Sequence, residues 1–305
     1  MNNMKNVVVK TKFIKAISKR NPKKRIVYIV VFCCLILYTL FLFVPFYTII
    51  VSSFTSNAEI NGSLDFVWIP SQISWEGYEK IFSADSSSGS VLFLSGLLNT
   101  LWQTLLPLII GLFVSGFAAY CYSKIKFPFK EKLFLVEIAT MTMPLGAFGI
   151  ISYLFYSWLR WESSALPIII PGMFGSATMI FFLRTYFDGI SDGIIEAAKI
   201  DGAGIFRIFF KVIMPIALPA FVAQFIFGFV GGYNNYVGPL MYLSSEKSLW
   251  PLQLVLSNTI NDSLIAPYVN AKCAAALVGM LPLIILYCFM QKFFIEGISA
   301  GGVKE

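Results

Sequence analysis

Histidine is absent from this chain of 305 residues, and charged residues make up only 13% of it. Soluble domains carry roughly a quarter charged residues, so the composition excludes a protein whose whole surface faces water. There is also no Gly-x-x-x-x-Gly-Lys-Ser/Thr segment, the phosphate cradle that nucleotide hydrolysis of that type requires. The apolar stretches hold neither histidine nor paired carboxylates, which argues against an enzyme embedded in the membrane. We therefore expect an integral membrane protein that binds no cofactor or metal of its own.

Long apolar runs dominate what is present, since 57% of the residues are hydrophobic. A helix needs about 20 apolar residues to cross a bilayer core. The predicted fold is all-α with six transmembrane helices, at 26–52, 91–122, 132–158, 165–186, 215–237 and 270–294. The first run is too long for a signal peptide and has no cleavage site after it, so we expect it to be retained. Glu137 is the one acid inside a predicted span, and we expect it to pair with Lys132 or to lie at the interface.

The basic residues indicate how the chain is oriented. A basic arm, 1–25, precedes the first span, and the first acid of the chain is Glu59. This arrangement predicts contact with anionic lipid at the cytoplasmic face rather than with nucleic acid. With six spans, both termini lie in the cytoplasm and only four of the 23 basic residues lie outside. Those four are Lys80, Arg160, Lys247 and Lys272.

The resulting organisation has five parts. They are the basic arm 1–25, the first transmembrane helix 26–52, an outer loop 53–90, a five-helix core 91–294 and a cytoplasmic tail 295–305. A second outer segment, 238–269, lies within the core. Both outer segments carry tryptophan and tyrosine, which is typical of a membrane interface. Contact with a partner protein remains an equal alternative for them.

A polar insert at 187–214 interrupts the core. Its first half, around Glu196-Ala197-Ala198, predicts a short helix with Asp192 as a possible cap. Asp201-Gly202 then predicts a bend, because glycine adopts dihedral angles that other residues resist. A second helix follows, with apolar residues on one face: Ile205, Phe206, Phe209, Phe210 and Ile213. Two interpretations stay open from these residues, a docking surface for a soluble partner or an amphipathic helix lying on lipid.

Polar and aromatic residues on the predicted spans are candidates for a translocation pathway. Recognition of a sugar requires aromatic faces together with amide and hydroxyl groups in a cavity. The candidates are Asn99, Gln103, Tyr153, Tyr156, Gln224, Tyr233, Asn234 and Asn235. The alternative is structural, since polar side chains in membrane helices often form hydrogen bonds with a neighbouring helix.

One ordered set of motifs resembles a known family. Glu196-Ala197-Ala198, Asp201-Gly202-Ala203, Phe209 and Pro215 are similar to the EAA loop of permease subunits in bacterial ABC importers. Further segments resemble the carbohydrate, maltose-type branch of that family: Asn99-Thr100, Phe117–Tyr120, Ala139–Pro144, Phe182–Arg184, Tyr233–Leu240 and Ser299–Lys304. The resemblance extends from about residue 26 to the C-terminus.

The resemblance implies a type I ABC importer permease that forms half of a sugar pathway in the bacterial cytoplasmic (inner) membrane. The implied partners are a homologous second permease subunit, two cytoplasmic ATPase subunits that bind ATP and Mg²⁺, and an extracellular or periplasmic sugar-binding protein. The implied coupling residues are Glu196, Ala197, Ala198, Asp201, Gly202 and Ala203. The tail residues Gly301, Gly302 and Val303 would reach the ATPase subunits, and the segment 240–268 would contact the binding protein.

A gradient-driven secondary transporter is the competing hypothesis. Such proteins usually contain more spans in one chain, often arranged as internal repeats. No repeat is visible in this sequence. The importer interpretation is therefore the preferred one.

Overall fold

The computed structural model describes residues 22–63, 66–82, 90–143, 148–261 and 268–302. Within these ranges every regular element is a helix. The helices are α1 (Pro22–Ser53), α2 (Asn57–Gly62), α3 (Glu76–Phe82), α4 (Ser90–Lys124), α5 (Lys130–Met141), α6 (Gly149–Trp158), α7 (Leu166–Met173), α8 (Ala177–Asp188), α9 (Asp192–Ile200), α10 (Ile205–Ile216), α11 (Leu218–Tyr233), α12 (Val237–Leu243), α13 (Leu252–Asn261) and α14 (Val269–Gly302). The predicted all-α class is confirmed.

Four helical stretches of the described chain are long and apolar enough to cross a membrane: Ile26–Ser53, Phe93–Lys124, Leu166–Asp188 and Val269–Lys292. They correspond to four of the predicted spans. A fifth counterpart is the pair α10 and α11, which bends by 81° between its two helices. The structure therefore supports four or five spans by length and composition, and it does not establish the predicted count of six.

The predicted span 132–158 consists of two shorter helices, α5 and α6. The hydroxyl groups of Thr140 and Thr142 donate to the carbonyls of Glu137 and Ala139 near the end of α5. Thr142 and Met143 are followed in sequence by Pro144, and a residue before proline is disfavoured in helical conformation. Pro144 itself lies outside the described residues. In the described part of the chain, Glu137 forms no ion pair with Lys132, so the interfacial position is the alternative that stays a prediction.

The bend between α10 and α11 falls at Ala217. Pro219 has no N–H group and its ring crowds the carbonyl four residues earlier, which favours a break or sharp kink in the helix at this point. The predicted span 215–237 starts at Pro215, but α10 continues through Pro215 to Ile216. A π-helical turn at Phe209–Ile213 precedes that proline, and Met214 N donates to Phe209 O across it. In this wider turn the N–H group bonds to the carbonyl five residues earlier instead of four, just before Pro215, which has no N–H group to donate.

The helix α4 lies at the centre of the bundle, in contact with α7, α8, α11 and α13. Glycine allows the closest of these approaches. A Cβ atom on Gly111 would lie 2.3 Å from the carbonyl oxygen of Gly172 in α7, and one on Gly228 would lie 2.3 Å from a methyl group of Leu108. Small residues at helix crossings are how membrane helices pack tightly without a hydrophobic driving force between them.

Two of the three buried clusters in the described part of the chain pack along α4. The first, which we call the hairpin core, packs α4, α8, α10 and α11 around Tyr120, Leu183, Phe187, Phe209 and Ile213. The second, the distal core, packs α3, α4, α11, α13 and α14 around Ile81, Phe93, Phe229, Tyr233 and Leu252. Each cluster thus lies towards one end of α4.

The segment 53–90, predicted to be an outer loop, contains α2 and α3, and both are fixed to the start of α14. The carboxylate of Glu76 accepts hydrogen bonds from Asn57 N at 2.9 Å and from Asn270 Nδ2 at 3.0 Å. Asn270 is fully buried, so its amide needs these partners. By contrast, every residue of α1 from Ile26 to Phe46 is exposed, and α1 packs on α14.

Candidate coupling hairpin and translocation cavity

The polar insert forms a helical hairpin of α9 and α10. The helix α9 ends in a Schellman motif: Gly202 N donates to Lys199 O and Ala203 N donates to Ala198 O, both at 3.0 Å. This motif requires a left-handed residue after the helix, and Gly202 has a φ of 76°. The predicted bend at Asp201-Gly202 is confirmed, and the motif satisfies carbonyl groups that the helix end leaves free.

The start of α9 differs from the expectation. The capping position is Ser191 rather than Asp192, and its side chain makes no capping hydrogen bond. The carboxylate of Asp192 instead lies 2.7 Å from Lys124 Nζ, which also donates to Ile190 O at 2.6 Å. Lys124 is only 6% exposed at the end of α4, so its charge needs these oxygens. The hydrogen bond from Lys124 and its positive charge hold the pKa of Asp192 below the usual value.

The helix α9 has three distinct faces. Ile195 is buried and Ala198 half-buried, so this face packs against the hairpin core. Glu196 and Lys199 lie on a second face, beside α4. The third face points away from the protein and carries Ala197 and Ile200, the latter 86% exposed. The coupling residues predicted from the sequence are thus gathered on one hairpin, and the outward face is small, apolar and uncovered.

The predicted apolar face of α10 has a buried and an exposed part. Phe209 and Ile213 are fully buried, but Ile205, Phe206 and Phe210 are exposed. The π-helical turn at Phe209–Ile213 departs from the 3.6-residue period at Phe210, whereas Ile205 and Phe206 lie before it, in the first turn of α10. Phe206 stacks on Phe117 of α4, with ring centroids 5.0 Å apart. The exposed Phe206 and Phe210 are therefore available for contact with lipid or with a partner protein.

Ionic contacts join the hairpin's neighbours. Arg184 of α8 donates to both carboxylate oxygens of Glu131 in α5 at 2.9 Å. Its guanidinium also lies 3.8 Å from the centre of the Phe134 ring. Ser123 Oγ donates to Asp188 Oδ1 at 2.6 Å, which ties α4 to the end of α8. The end of α4, the start of α5 and the end of α8 therefore support the segment from which α9 begins.

A cavity of about 230 Å³ lies between α4, α7 and α11, away from the hairpin. Its polar lining includes Gln103, Thr104, Ser176 and Asn235. Gln103 is 4% exposed, and its Nε2 donates to Leu249 O at 2.8 Å. Its Oε1 atom is buried and has no hydrogen-bond partner in the described part of the chain. A buried acceptor of this kind is suited to a ligand or water that donates a hydrogen bond.

Comparison with known proteins places these features in a family. Residues 111–299 match the family described as "Binding-protein-dependent transport system inner membrane component". This chain belongs to that family. The hairpin and the cavity both lie largely within the matched range.

Individual relatives match over almost the whole chain. The polygalacturonan/rhamnogalacturonan transport system permease protein YtcP of Bacillus subtilis is 27% identical over 92% of this chain and 99% of its own length. The arabinooligosaccharides transport system permease protein AraQ of the same organism is 28% identical over 87% of this chain and 91% of its own.

A solved structure gives the same answer. The crystal structure of a bacterial ABC transporter involved in the import of the acidic polysaccharide alginate aligns with a TM-score of 0.80 and 25% identity. It covers 90% of this chain and 99% of the matched one. The predicted permease fold is confirmed. The protein is a membrane permease subunit of an ABC transporter and is not itself the ATPase.

The pathway candidates of the permease occupy different environments. Gln103 and Asn235 line the cavity, and Asn235 also accepts a hydrogen bond from Gly238 N at the start of α12. Asn99 binds the carbonyls of Ser248 and Trp250 through its Nδ2, at 2.8 and 3.1 Å. Asn99 therefore helps to fix the segment Ser248–Trp250 against α4.

The aromatic candidates lie elsewhere. Tyr153 stacks on Tyr242, and Tyr156 stacks on Trp161 with ring centroids 5.7 Å apart. Tyr233 is 1% exposed, and its hydroxyl donates to Gly279 O of α14 at 2.8 Å. The structure does not gather the predicted aromatic residues around the cavity.

The two remaining candidates lie on or next to α11. Gln224 is buried within this helix. Asn234 is exposed and accepts a hydrogen bond from Gln253 of α13. For the tail, Gly301 and Gly302 close α14, whereas Val303 lies outside the described residues.

The contacts of Lys124 and Thr100 could not be predicted from the sequence. Lys124 ends an apolar run and looked like any basic residue at a span boundary. Thr100 is buried and accepts a hydrogen bond from Leu252 N at 2.7 Å, which joins α4 to α13. Their partners lie 68 and 152 positions away in sequence, so only the fold could reveal these contacts.

Proposed function

We propose that this permease forms half of the translocation pathway of an ATP-driven importer for carbohydrates, with an oligosaccharide as its cargo. Two similar permeases are named for the transport of polygalacturonan/rhamnogalacturonan and of arabinooligosaccharides. The matched crystal structure belongs to a transporter of an acidic polysaccharide. Both neutral and acidic saccharides are therefore within the proposed class.

The observation that carries the coupling role is the hairpin with its outward apolar face. Ala197 offers a small side chain and Ile200 an exposed apolar one, so another protein surface can approach α9 closely. Glu196 and Asp201 flank this face with charge. We assign the motif residues Glu196, Ala197, Ala198, Asp201, Gly202 and Ala203 to contact with one of two cytoplasmic ATPase subunits, which bind ATP and Mg²⁺. The Gly301-Gly302-Val303 tail is assigned to the same partners.

A rigid link supports transmission from this hairpin to the membrane. Lys124 at the end of α4 holds both Asp192 and Ile190 O, and α10 packs into the hairpin core through Phe209 and Ile213. Movement of α9 would therefore be passed to α4, whose other half lines the cavity. Gln103 and Asn235 are the pathway residues that this geometry favours.

The proposal includes an orientation in the membrane. Both termini and the hairpin lie in the cytoplasm, because only four of the 23 basic residues then lie outside. The segment 240–268 then faces the sugar-binding protein, and α1 faces lipid or the second permease subunit.

Transport by reconstituted vesicles tests the function. The permease, its co-purified partner subunits and the binding protein are incorporated, and uptake of labelled arabino- and galacturono-oligosaccharides is measured. We expect uptake that requires ATP and continues when ion gradients are collapsed. Uptake that stops with the gradients, and that proceeds without ATP, would support a secondary transporter instead.

Two variants test the coupling hairpin. Glu196→Lys reverses a charge beside the outward face, and Gly202→Asp places a side chain where φ is 76°. We expect both to lose ATP-dependent uptake and to retain less ATPase subunit in a pull-down, while still inserting into the membrane. Normal values in both assays would contradict the assignment. Protease cleavage before Pro215 from the outer side would contradict the orientation.

A further inference from the structure

A polar groove of about 540 Å³ runs between α9 and the end of α4. Four lysines from three segments line it: Lys124, Lys126, Lys130 and Lys199. The facing residues of α9 include Ile195, Glu196 and Lys199, which recur at helical spacing. The groove therefore uses a face of α9 different from the outward face of Ala197 and Ile200.

The charges in the groove are not balanced. Lys124 is paired with Asp192, and Lys130 donates to the carbonyl oxygen of Ser123 at 3.0 Å, which does not neutralise it. In the described part of the chain, neither Lys126 nor Lys199 forms an ion pair. Glu196 is the one carboxylate left to oppose these three cations. A net positive charge thus remains at the groove, and it is complementary to an anion.

Apolar side chains flank the same groove. Ile125 and Ile205 form part of its lining. Ile205 is 48% exposed, so the apolar side of the groove is accessible from outside the protein. A cationic recess that borders an exposed apolar surface fits an amphiphile, one with an anionic head and hydrocarbon chains. Its position at the end of the span Phe93–Lys124 corresponds to the level of lipid headgroups.

We propose that this groove binds the headgroup of an anionic phospholipid, with its phosphate held by Lys126 and Lys199 and its acyl chains along the apolar lining at Ile125 and Ile205. The lipid would attach the coupling hairpin to the membrane surface on the groove side of α9, a different face from that of Ala197 and Ile200. Basic recesses between membrane helices are known to suit acidic headgroups. An acidic segment of a protein partner would need no apolar border, so the lipid is the occupant favoured here.

Lipid retention by the purified complex tests the site. Native mass spectrometry counts bound phosphatidylglycerol and phosphatidylcholine on wild type and on the double variant Lys126→Gln/Lys199→Gln. We expect the variant to bind phosphatidylglycerol about tenfold or more weakly, from the contribution of two lysines near an anionic surface. The charge-conserving Lys126→Arg/Lys199→Arg should retain wild-type binding.

The matched control removes two cations from the same hairpin but outside the groove. Arg207 and Lys211 are exposed on α10 and do not line it. Arg207→Gln/Lys211→Gln should leave phosphatidylglycerol binding unchanged. An equal loss in both double variants, or equal retention of phosphatidylcholine by wild type, would overturn the site. Displacement of the lipid by millimolar inorganic phosphate alone would also overturn it, since a small soluble anion would then be the ligand.

Two further outcomes separate this inference from the proposed function. If Lys126→Gln/Lys199→Gln loses the ATPase subunit but keeps its phosphatidylglycerol, the groove is a protein contact and the inference is wrong. If wild type shows no ATP-dependent uptake but loses lipid only in this variant, the lipid site stands and the importer function fails.

Discussion

The two halves of α4 are stabilised in different ways. Towards Lys124, the helix contacts its neighbours through ion pairs and hydrogen bonds at the surface, such as Lys124 with Asp192. Towards Thr100, it is joined by buried hydrogen bonds to backbone groups of distant segments, and by glycine contacts with α7 and α11. Asp192 is exposed on its side of the first contact, so water competes with Lys124 for its carboxylate, whereas the second set is shielded from water. The half towards Thr100, which we call the rigid half, is therefore held by packing and buried hydrogen bonds, whereas the half towards Lys124 is linked to the hairpin through charge.

The largest effect is expected from Gly111→Ala, at the rigid half. The new Cβ would lie 2.3 Å from the carbonyl oxygen of Gly172, a backbone atom that cannot rotate away. Overpacking of this kind costs about 1–3 kcal/mol or more in free energy of unfolding. Thermal unfolding in detergent should show a clear loss relative to Gly231→Ala, where nothing lies within 4 Å. Equal stability of the two variants would mean that α4 and α7 are less tightly packed than described.

Gly202→Ala should have the next largest effect, confined to the hairpin. Its Cβ would meet no atom within 4 Å, so the cost arises from the φ of 76° and amounts to about 1–2 kcal/mol. Gly204→Ala is the matched control, because that position is equally open but has a φ of −72°. Hydrogen exchange in α9 should accelerate only in the first variant. If both variants behave alike, the Schellman motif is not what holds the turn.

Tyr233→Phe should produce a smaller loss. It removes the hydroxyl that donates to Gly279 O and joins α11 to α14. A hydrogen bond of this type contributes about 0.5–1.5 kcal/mol. We expect a modest fall in thermal stability with substrate specificity unchanged, measured beside the exposed control Tyr153→Phe. If the variant transported different oligosaccharides without losing stability, Tyr233 would instead be a residue of the translocation pathway, as the sequence predicted.

The smallest effect is expected from the ion pair between Lys124 and Asp192. The pKa of Asp192 is held below its usual value near 3.8 by Lys124. The pair therefore stabilises the start of α9 fully above that pH, and its contribution is lost as pH falls below it. Hydrogen exchange of residues 189–198 should differ between wild type and Asp192→Asn at pH 6, and the difference should shrink towards pH 3. A constant difference would show that charge is not its cause.

The sequence predicted some of these features because they depend on local chemistry. The bend at Asp201-Gly202 follows from the freedom of glycine, and the shared apolar face of α10 follows from helical spacing. That spacing could not distinguish the buried residues of the face, Phe209 and Ile213, from the exposed Ile205 and Phe210. The cap at Asp192 was wrongly expected because a buried lysine competes for its carboxylate.

Composition and patterning by themselves determined the membrane class, the all-helical fold and the motif that marks the hairpin. These properties depend on how much charge the chain can expose to water and on which residues follow each other directly. Only the tertiary structure decided that Gln103 lines a cavity with an unpaired oxygen, and that lysines from three segments share one groove. Such sites depend on distances between residues far apart in sequence, which helix packing sets and no local pattern encodes.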